Sequence, residues 1–290
     1  MGYKSILRSD AFKSKNILVT GGGSGIGRCT AHELASLGAQ ILLVGRNQEK
    51  LKTVQAEIIE DGGLCDIASC DIRDEAGVKA LVASFIDKHG KISGLVNNAG
   101  GQFPSPLAKI SKNGWDAVVS TNLTGGFVMA REVFNQSMEE HGGSIVNIVA
   151  DMWAGMPGMG HSGAARAGMA NFTQTAAYEW GYADVRVNAV APGWIASSGM
   201  DTYSDEFKKV LKRLKGAIPL GRLGNEAEIS SSIAFLLSDA ANYISGTVIR
   251  VDGAASQGNT TMYPLEKSEK STPYDGFHRE VTADLFKKAK

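Results

Sequence analysis

Cysteine is scarce. Cys29, Cys65 and Cys70 are the only three in 290 residues, an odd number with no Cys-x-x-Cys pair. Neither a disulfide framework nor a zinc site is expected, no metal is called for, and a reducing compartment such as the cytoplasm fits the usage. Net charge is also missing, since 30 basic side chains balance 30 acidic ones, so no global field draws a nucleic acid or an anionic membrane. The expected ligand is therefore a small molecule. No apolar run approaches the roughly 18 residues of a membrane span. The first residues carry no signal-peptide apolar core, and Ile6 stands where a myristoylation signal wants Ser or Thr. Internal repeats, low-complexity tracts and Pro/Ser-rich linkers are absent too, which leaves one domain over residues 1–254 and a C-terminal extension over 255–290.

What is present is an alternation of two patterns. Short β-branched runs lie at 16–20, 41–44, 64–69, 95–97, 144–149, 185–190 and 247–251. Helical periodicity lies between them, at 25–37, 48–60, 75–89, 112–139, 162–180 and 226–237, the last opened by Asn225. Strand and helix in turn predict βαβ units, hence a doubly wound α/β (Rossmann) fold with a seven-stranded parallel sheet. Residues 196–218 are polar and helix-prone and follow the sixth strand, where a substrate lid would fit. Past Gly253 the chain turns aperiodic, with a weak helix expected near 280–288; that tail is expected either to pack on a partner subunit or to stay loose.

The first strand runs straight into Gly21-Gly22-Gly23-Ser24-Gly25-Ile26-Gly27, and a helix follows at once. Glycines permit a tight turn and close backbone approach, while a helix N-terminus offers free N–H groups to a pyrophosphate. An NAD site usually places a carboxylate at the end of the second strand to hold the ribose 2′-hydroxyl. Here Gly45-Arg46 stands instead, and an arginine fork suits a 2′-phosphate. NADP(H) is the expected cofactor, the alternative being a solvated arginine opening a helix. Asp71 and Ile72, past the third strand, are placed to face the adenine, and Asn98-Ala99-Gly100 forms a small-residue passage beside the adenosine ribose.

Thr20-Gly21-x-x-x-Gly25-Ile26-Gly27, Asn97-Asn98-Ala99-Gly100, Asn122, Pro192-Gly193 and Val251-Asp252-Gly253 resemble, in order, the motifs of the short-chain dehydrogenase/reductase family. The likeness runs over about residues 14–254. It implies nicotinamide bound across the strand ends and cradled by Pro192, Gly193 and Ile195, and it implies frequent tetramers. The long apolar helices 112–139 and 162–180 would then pair across a two-fold axis.

The family's catalytic set is a Ser, a Tyr, a Lys four residues later and an upstream Asn. Asn122 alone matches it. Aligning Arg166-Ala167-Gly168-Met169 with the usual Lys-Ala-Gly-apolar run puts Ser162 at the Tyr position and Arg166 at the Lys position. The rival frame sets His161 there, pairs it with Ala165 and loses the cation. The expected Ser falls near Val149, which has no hydroxyl. A serine is much harder to ionise than a tyrosine, and an arginine does not carry protons. Carbonyl/alcohol interconversion is thus poorly provided for. Reduction of a C=C bond conjugated to a thioester needs hydrogen-bond donors for a developing enolate, which Ser162 and Asn122 can supply.

The runs Asn97–Phe103 and His161–Gly168 further resemble the peroxisomal trans-2-enoyl-CoA reductases and, more distantly, the 2,4-dienoyl-CoA reductases, which also replace Tyr by Ser. The dienoyl type carries a Tyr acid soon after the fifth strand. This chain has Asp151 near that place, either a solvated loop carboxylate or, if burial raises its pKa, a proton donor. His161 is a proton relay, a packing imidazole or an exposed one. Met152, Trp153, Met156 and Met159 line an acyl pocket or belong to the core, and Tyr178 and Tyr182 are expected to pack. The leading expectation is an NADP(H)-dependent enoyl-CoA reductase of fatty acid metabolism. Its competitors are a dehydrogenase of a hydrophobic terpenoid or long-chain alcohol or aldehyde, and a cofactor-binding protein without catalysis.

Overall fold

In a computed structural model of the chain, residues 2–211, 213–258, 264–266, 268 and 270–286 are described. The β-branched runs form seven strands: β1 (Asn16–Thr20), β2 (Gln40–Gly45), β3 (Leu64–Ser69), β4 (Gly94–Asn97), β5 (Gly143–Ile148), β6 (Val185–Pro192) and β7 (Val248–Val251). All pair parallel, in the order β3-β2-β1-β4-β5-β6-β7. Successive side chains of a strand point to opposite faces. Ile17 and Val19 therefore enter one core, and Leu18 and Leu42 the other.

The helices on the first face are α1 (Gly25–Ser36), α2 (Gln48–Glu60) and α9 (Glu226–Leu237); Leu34, Leu51, Ile58, Ile229 and Ile233 close that core. On the second face α3 (Glu75–His89) contributes Val78, Val82 and Phe85. Beside it runs a long helical stretch, expected as one helix. It consists of α4 (Lys112–Val119), a π turn at Ser120–Thr124, α5 (Gly125–Val133), a second π turn at Phe134–Met138, and α6 (Glu139–His141). A π turn carries one extra residue per turn, so it re-aims the side chains that follow, and such turns concentrate at functional sites. Asn122 lies in the first of them. α7 (Gly160–Glu179) completes this face and starts two residues before the expected Ser162.

The sheet order reverses between β1 and β4, and the crevice opened there beyond the strand ends is where doubly wound folds bind ligands. The segment 196–218 folds as a 3-10 turn (Ser198–Thr202), α8 (Asp205–Leu211) and a second 3-10 turn (Leu214–Ala217).

The C-terminal segment departs from expectation. The helix expected near 280–288 is not formed over its described part, which holds only a 3-10 turn at Asp284–Phe286; residues 287–290 lie outside the described residues. Thr282 instead pairs antiparallel with Ser197, which keeps the chain extended, and Ala283 is buried against Met200 and Leu211. Upstream, Phe277 is buried against Cys29 and Ala227, with the Arg28 guanidinium 5.0 Å from its ring centre. The described part of the tail thus packs on its own chain. No described helix is long and apolar enough to cross a membrane.

Candidate active site

Between the ends of β1, β2 and β4 lies a cavity of about 660 Å³, lined by Gly21, Ser24, Arg46, Asp71, Ile72, Ala99 and Gly100 among others. Its floor is tied together by Thr20, whose hydroxyl accepts from the backbone N–H groups of Asn98 (3.0 Å) and Ala99 (2.9 Å), while the Asn98 amide donates to the Thr20 carbonyl at 3.0 Å. Gly27 is obligatory there, because a Cβ would stand 2.4 Å from the Gly21 carbonyl oxygen and from the Asn98 amide nitrogen. Ser24 caps α1 in an extended conformation without a side-chain capping bond, which leaves the first-turn N–H groups to a ligand. The loop, helix terminus and cavity fit a dinucleotide. The half-buried Ile26 packs against the core below the loop.

Arg46 is exposed at the rim of the cavity, together with Lys50. Asp71 also lines it, but its carboxylate is held by Arg73 through Nε at 2.9 Å and Nη2 at 2.5 Å. That pairing holds the acid down to about 2. Behind the loop, Glu226 approaches Gly25, whose Cβ would stand 3.9 Å from its Oε1. Its Oε2 is buried with no partner among the described residues, and burial pushes the carboxyl up to about 7.

On α7, Ser162 and Arg166 are one turn apart and face the same side. Ser162 is fully buried, and its Oγ donates to Gln102 Oε1 at 2.7 Å. The Ser162 backbone N–H donates to His161 Nδ1 at 2.8 Å, so the His161 proton sits on Nε2. That nitrogen is buried without a partner among the described residues, and the ring stands edge-on to Phe103, 4.5 Å between centres. Arg166 runs beneath Gly100, where a Cβ would meet Nη2 at 2.5 Å, and Nη1 donates to the Ile148 carbonyl at 2.5 Å. Burial pushes the guanidinium down to about 10, so it keeps its charge at neutral pH.

Asn122 is buried, and both ends of its amide engage one residue: Oδ1 accepts from Gly101 N at 2.8 Å and Nδ2 donates to Gly101 O at 2.9 Å. It thereby clamps the loop that presents Gln102. Asp151 is half-buried after β5, and burial together with the neighbouring Asp252 carboxylate raises its carboxyl. Trp153 is stacked under Arg250, 3.6 Å from guanidinium carbon to ring centre, while Met159 is buried. Gly193 donates to Val251 O at 3.0 Å, following Pro192 at the end of β6, and Ile195 is buried opposite Gly224. Tyr178 is exposed rather than packed, whereas Tyr182, also largely exposed, sets its ring edge-on to Phe134, 6.5 Å between centres, and its hydroxyl donates to Glu139 at 2.9 Å.

Two residues of this face carried no role in the sequence. Gln102 stood there only within a family-like run, and Tyr203 left no local signal at all. Yet Gln102 Nε2 donates to Tyr203 Oη at 3.3 Å, which links the segment after β6 to Ser162 through the Gln102 amide.

A family model described as enoyl-(acyl carrier protein) reductase matches residues 21–256. The citronellol catabolism dehydrogenase AtuB of Pseudomonas aeruginosa PAO1 superimposes with a TM-score of 0.80 and 59% identity, over 88% of this chain and 100% of that one. A probable 2,4-dienoyl-CoA reductase of Bacillus subtilis (strain 168) is 37% identical over 247 residues, 83% of this chain and 96% of its own. An actinorhodin polyketide ketoreductase with NADPH superimposes with a TM-score of 0.79 and 30% identity, over 84% of this chain and 98% of that one. With this sheet order, this glycine loop and these relatives, the chain belongs to the short-chain dehydrogenase/reductase family of nicotinamide-dependent oxidoreductases.

Proposed function

We propose that the chain is an NADP(H)-dependent reductase of the C=C bond of an α,β-unsaturated acyl thioester. The observation that carries this reading is the buried Ser162–Gln102 pair one turn from Arg166 on α7; when the Arg166-Ala167-Gly168-Met169 run is aligned with the family's Lys-Ala-Gly-apolar run, Ser162 and Arg166 fall at its tyrosine and lysine positions. The helix offers a fixed cation and a hydroxyl, but no phenol beside an ammonium. Such a face suits the stabilisation of charge on a substrate oxygen better than the ionisation of an alcohol. The bound nicotinamide supplies or takes up the hydride. Rotation of the Ser162 hydroxyl turns its hydrogen from Gln102 onto an enolate oxygen, and the Arg166 cation favours negative charge nearby. Leu107 and Met156 pack against the first turn of α7 and give that end an apolar wall for an acyl chain. NADP(H) is supported by Arg46 and Lys50 at the cavity rim, and by the ketoreductase relative with NADPH.

A second reading is favoured by the 59% identity to a citronellol catabolism dehydrogenase: oxidation of a branched terpenoid alcohol. Absorbance at 340 nm separates the two. Consumption of NADPH with crotonyl-CoA or a branched enoyl-CoA is expected. Reduction of NADP⁺ by citronellol, with both thioesters inert, would replace the first reading by the second.

A further inference from the structure

We propose that Tyr203, on the segment after β6, is the catalytic residue that hands the proton to the substrate, and that Gln102 is its positioning residue. The proposal rests on the reading above only for the choice of substrate.

The orientation of one amide carries the argument. Gln102 Oε1 accepts from Ser162 Oγ at 2.7 Å, so Nε2 faces away from Ser162 and donates to Tyr203 Oη at 3.3 Å. Tyr203 therefore spends a lone pair on Gln102 and keeps its phenolic hydrogen, for which no acceptor stands among the described residues. Ser162, in contrast, spends its only hydrogen on Gln102 and, once turned, on a hydrogen bond to the enolate oxygen. Of the two hydroxyls bracketing Gln102, the phenol is the one with a proton to give, and it is the more acidic of the two types.

Both ends of this bridge are fixed. Gln102 follows Gly101, which Asn122 grips from both sides. The Tyr203 ring lies 5.0 Å from that of Phe207, and its segment is anchored to the C-terminal stretch. There Ser197 pairs with Thr282, Asp201 accepts from the Asp284 backbone N–H at 3.1 Å, and Met200 and Leu211 bury Ala283. That stretch lies beyond residue 256, where the match to the family model ends. The phenol missing from α7 is thus supplied from a segment that this chain's own extension holds down.

In the reaction, a C–H bond forms at the β-carbon as hydride arrives, and the π pair moves to the thioester oxygen as an enolate. The Tyr203 O–H bond then breaks, its proton bonds to the α-carbon as the enolate pair returns, and the tyrosinate regains a proton from water. In the alcohol direction the tyrosinate would instead accept the hydroxyl proton.

The test uses the full chain and Tyr203→Phe, with circular dichroism and NADPH affinity by fluorescence as controls for folding. NADPH affinity is expected to stay within about twofold while kcat falls by about 10²- to 10⁴-fold. Enoyl reduction in D₂O is expected to give one configuration at the α-carbon with wild type and a near-equal mixture with Tyr203→Phe, because water then supplies the deuteron from either side. Gln102→Ala should lower kcat less and blur the configuration partly. A kcat within about threefold of wild type overturns the proposal, and so does a large fall with the single configuration kept, which would make Tyr203 a mere wall. If the wild type turns over citronellol and no enoyl thioester, the functional reading falls. Tyr203 is then judged on citronellol, where a loss of kcat together with its pH dependence supports it and an unchanged rate and profile overturn it.

Discussion

Arg46 projects from the end of β2 to the rim of the dinucleotide cavity, and no carboxylate occupies that strand end. On the reading proposed above it meets the 2′-phosphate. One charge-assisted contact of roughly 1.5–3 kcal/mol corresponds to about ten- to a hundredfold in affinity. Arg46→Asp is expected to weaken NADPH binding by that factor and to leave NADH binding nearly unchanged; equal losses in a fluorescence titration would remove the argument. Ser162 is the second residue whose chemistry decides. As an oxyanion donor its removal should lower kcat by about ten- to a thousandfold, judged from such donors elsewhere. Ser162→Ala also frees Gln102 Oε1, so the amide can turn and the hold on Tyr203 should loosen as well. A Ser162→Ala enzyme reducing enoyl thioesters at the wild-type rate, with NADPH affinity unchanged, would strip Ser162 of its part.

Among the elements, α9 holds a conflict that its sequence conceals. Asn225 and Glu228 form a capping box, and acidic residues at a helix start are ordinarily favourable. Glu226 occupies the same first turn, yet it is buried beneath the phosphate loop, and desolvation outweighs the helix terminus. Its folded-state pKa of about 7 lies above the ordinary glutamate value, so the folded protein holds that proton longer than the unfolded chain. Its contribution to stability is fully present below the ordinary carboxylate range and is lost as pH rises toward 7, amounting to about 3 kcal/mol. Glu226→Gln, which cannot ionise, should match wild type near pH 4.5 in urea unfolding and exceed it by roughly that amount at pH 8. A gap that does not change with pH would show that the carboxyl is not held neutral. The stretch 112–141 teaches a related lesson. Its apolar period marks a helix, whereas the π turn that aims Asn122 at Gly101 leaves no trace in that period.

Over the whole molecule, α4, α5 and α7 leave aromatic surface facing outward. Trp115 and Phe127 are each 37% exposed, and the Phe127 ring packs edge-on against Phe172 and under the Arg131 guanidinium. A second copy is the natural cover for such a face, through a self-complementary two-fold contact. Light scattering at micromolar concentration should give a mass that is a multiple of 30.6 kDa, and Phe127→Glu should lower it. A wild type that runs only as a monomer would sink the assembly argument.

The sheet, the glycine loop and the placing of Ser162 and Arg166 on one side of one helix are all legible in the sequence, because each is a matter of short-range spacing. Alternation within a strand, a turn between strand and helix, and a separation of four along a helix need no knowledge of what lies across the fold. The bridge from Ser162 through Gln102 to Tyr203 spans 60 and then 101 residues. Phe277 meets Cys29 across most of the chain, and the Glu226 carboxyl is pushed up because burial behind the phosphate loop takes it out of water. Such contacts depend on which segments the folded sheet brings together and on how much water it removes between them. Local periodicity determined where the strands and helices form; only the tertiary structure decided which polar groups meet across Gln102 and which carboxyl loses its water, because desolvation and hydrogen-bond partners exist only after distant segments have met.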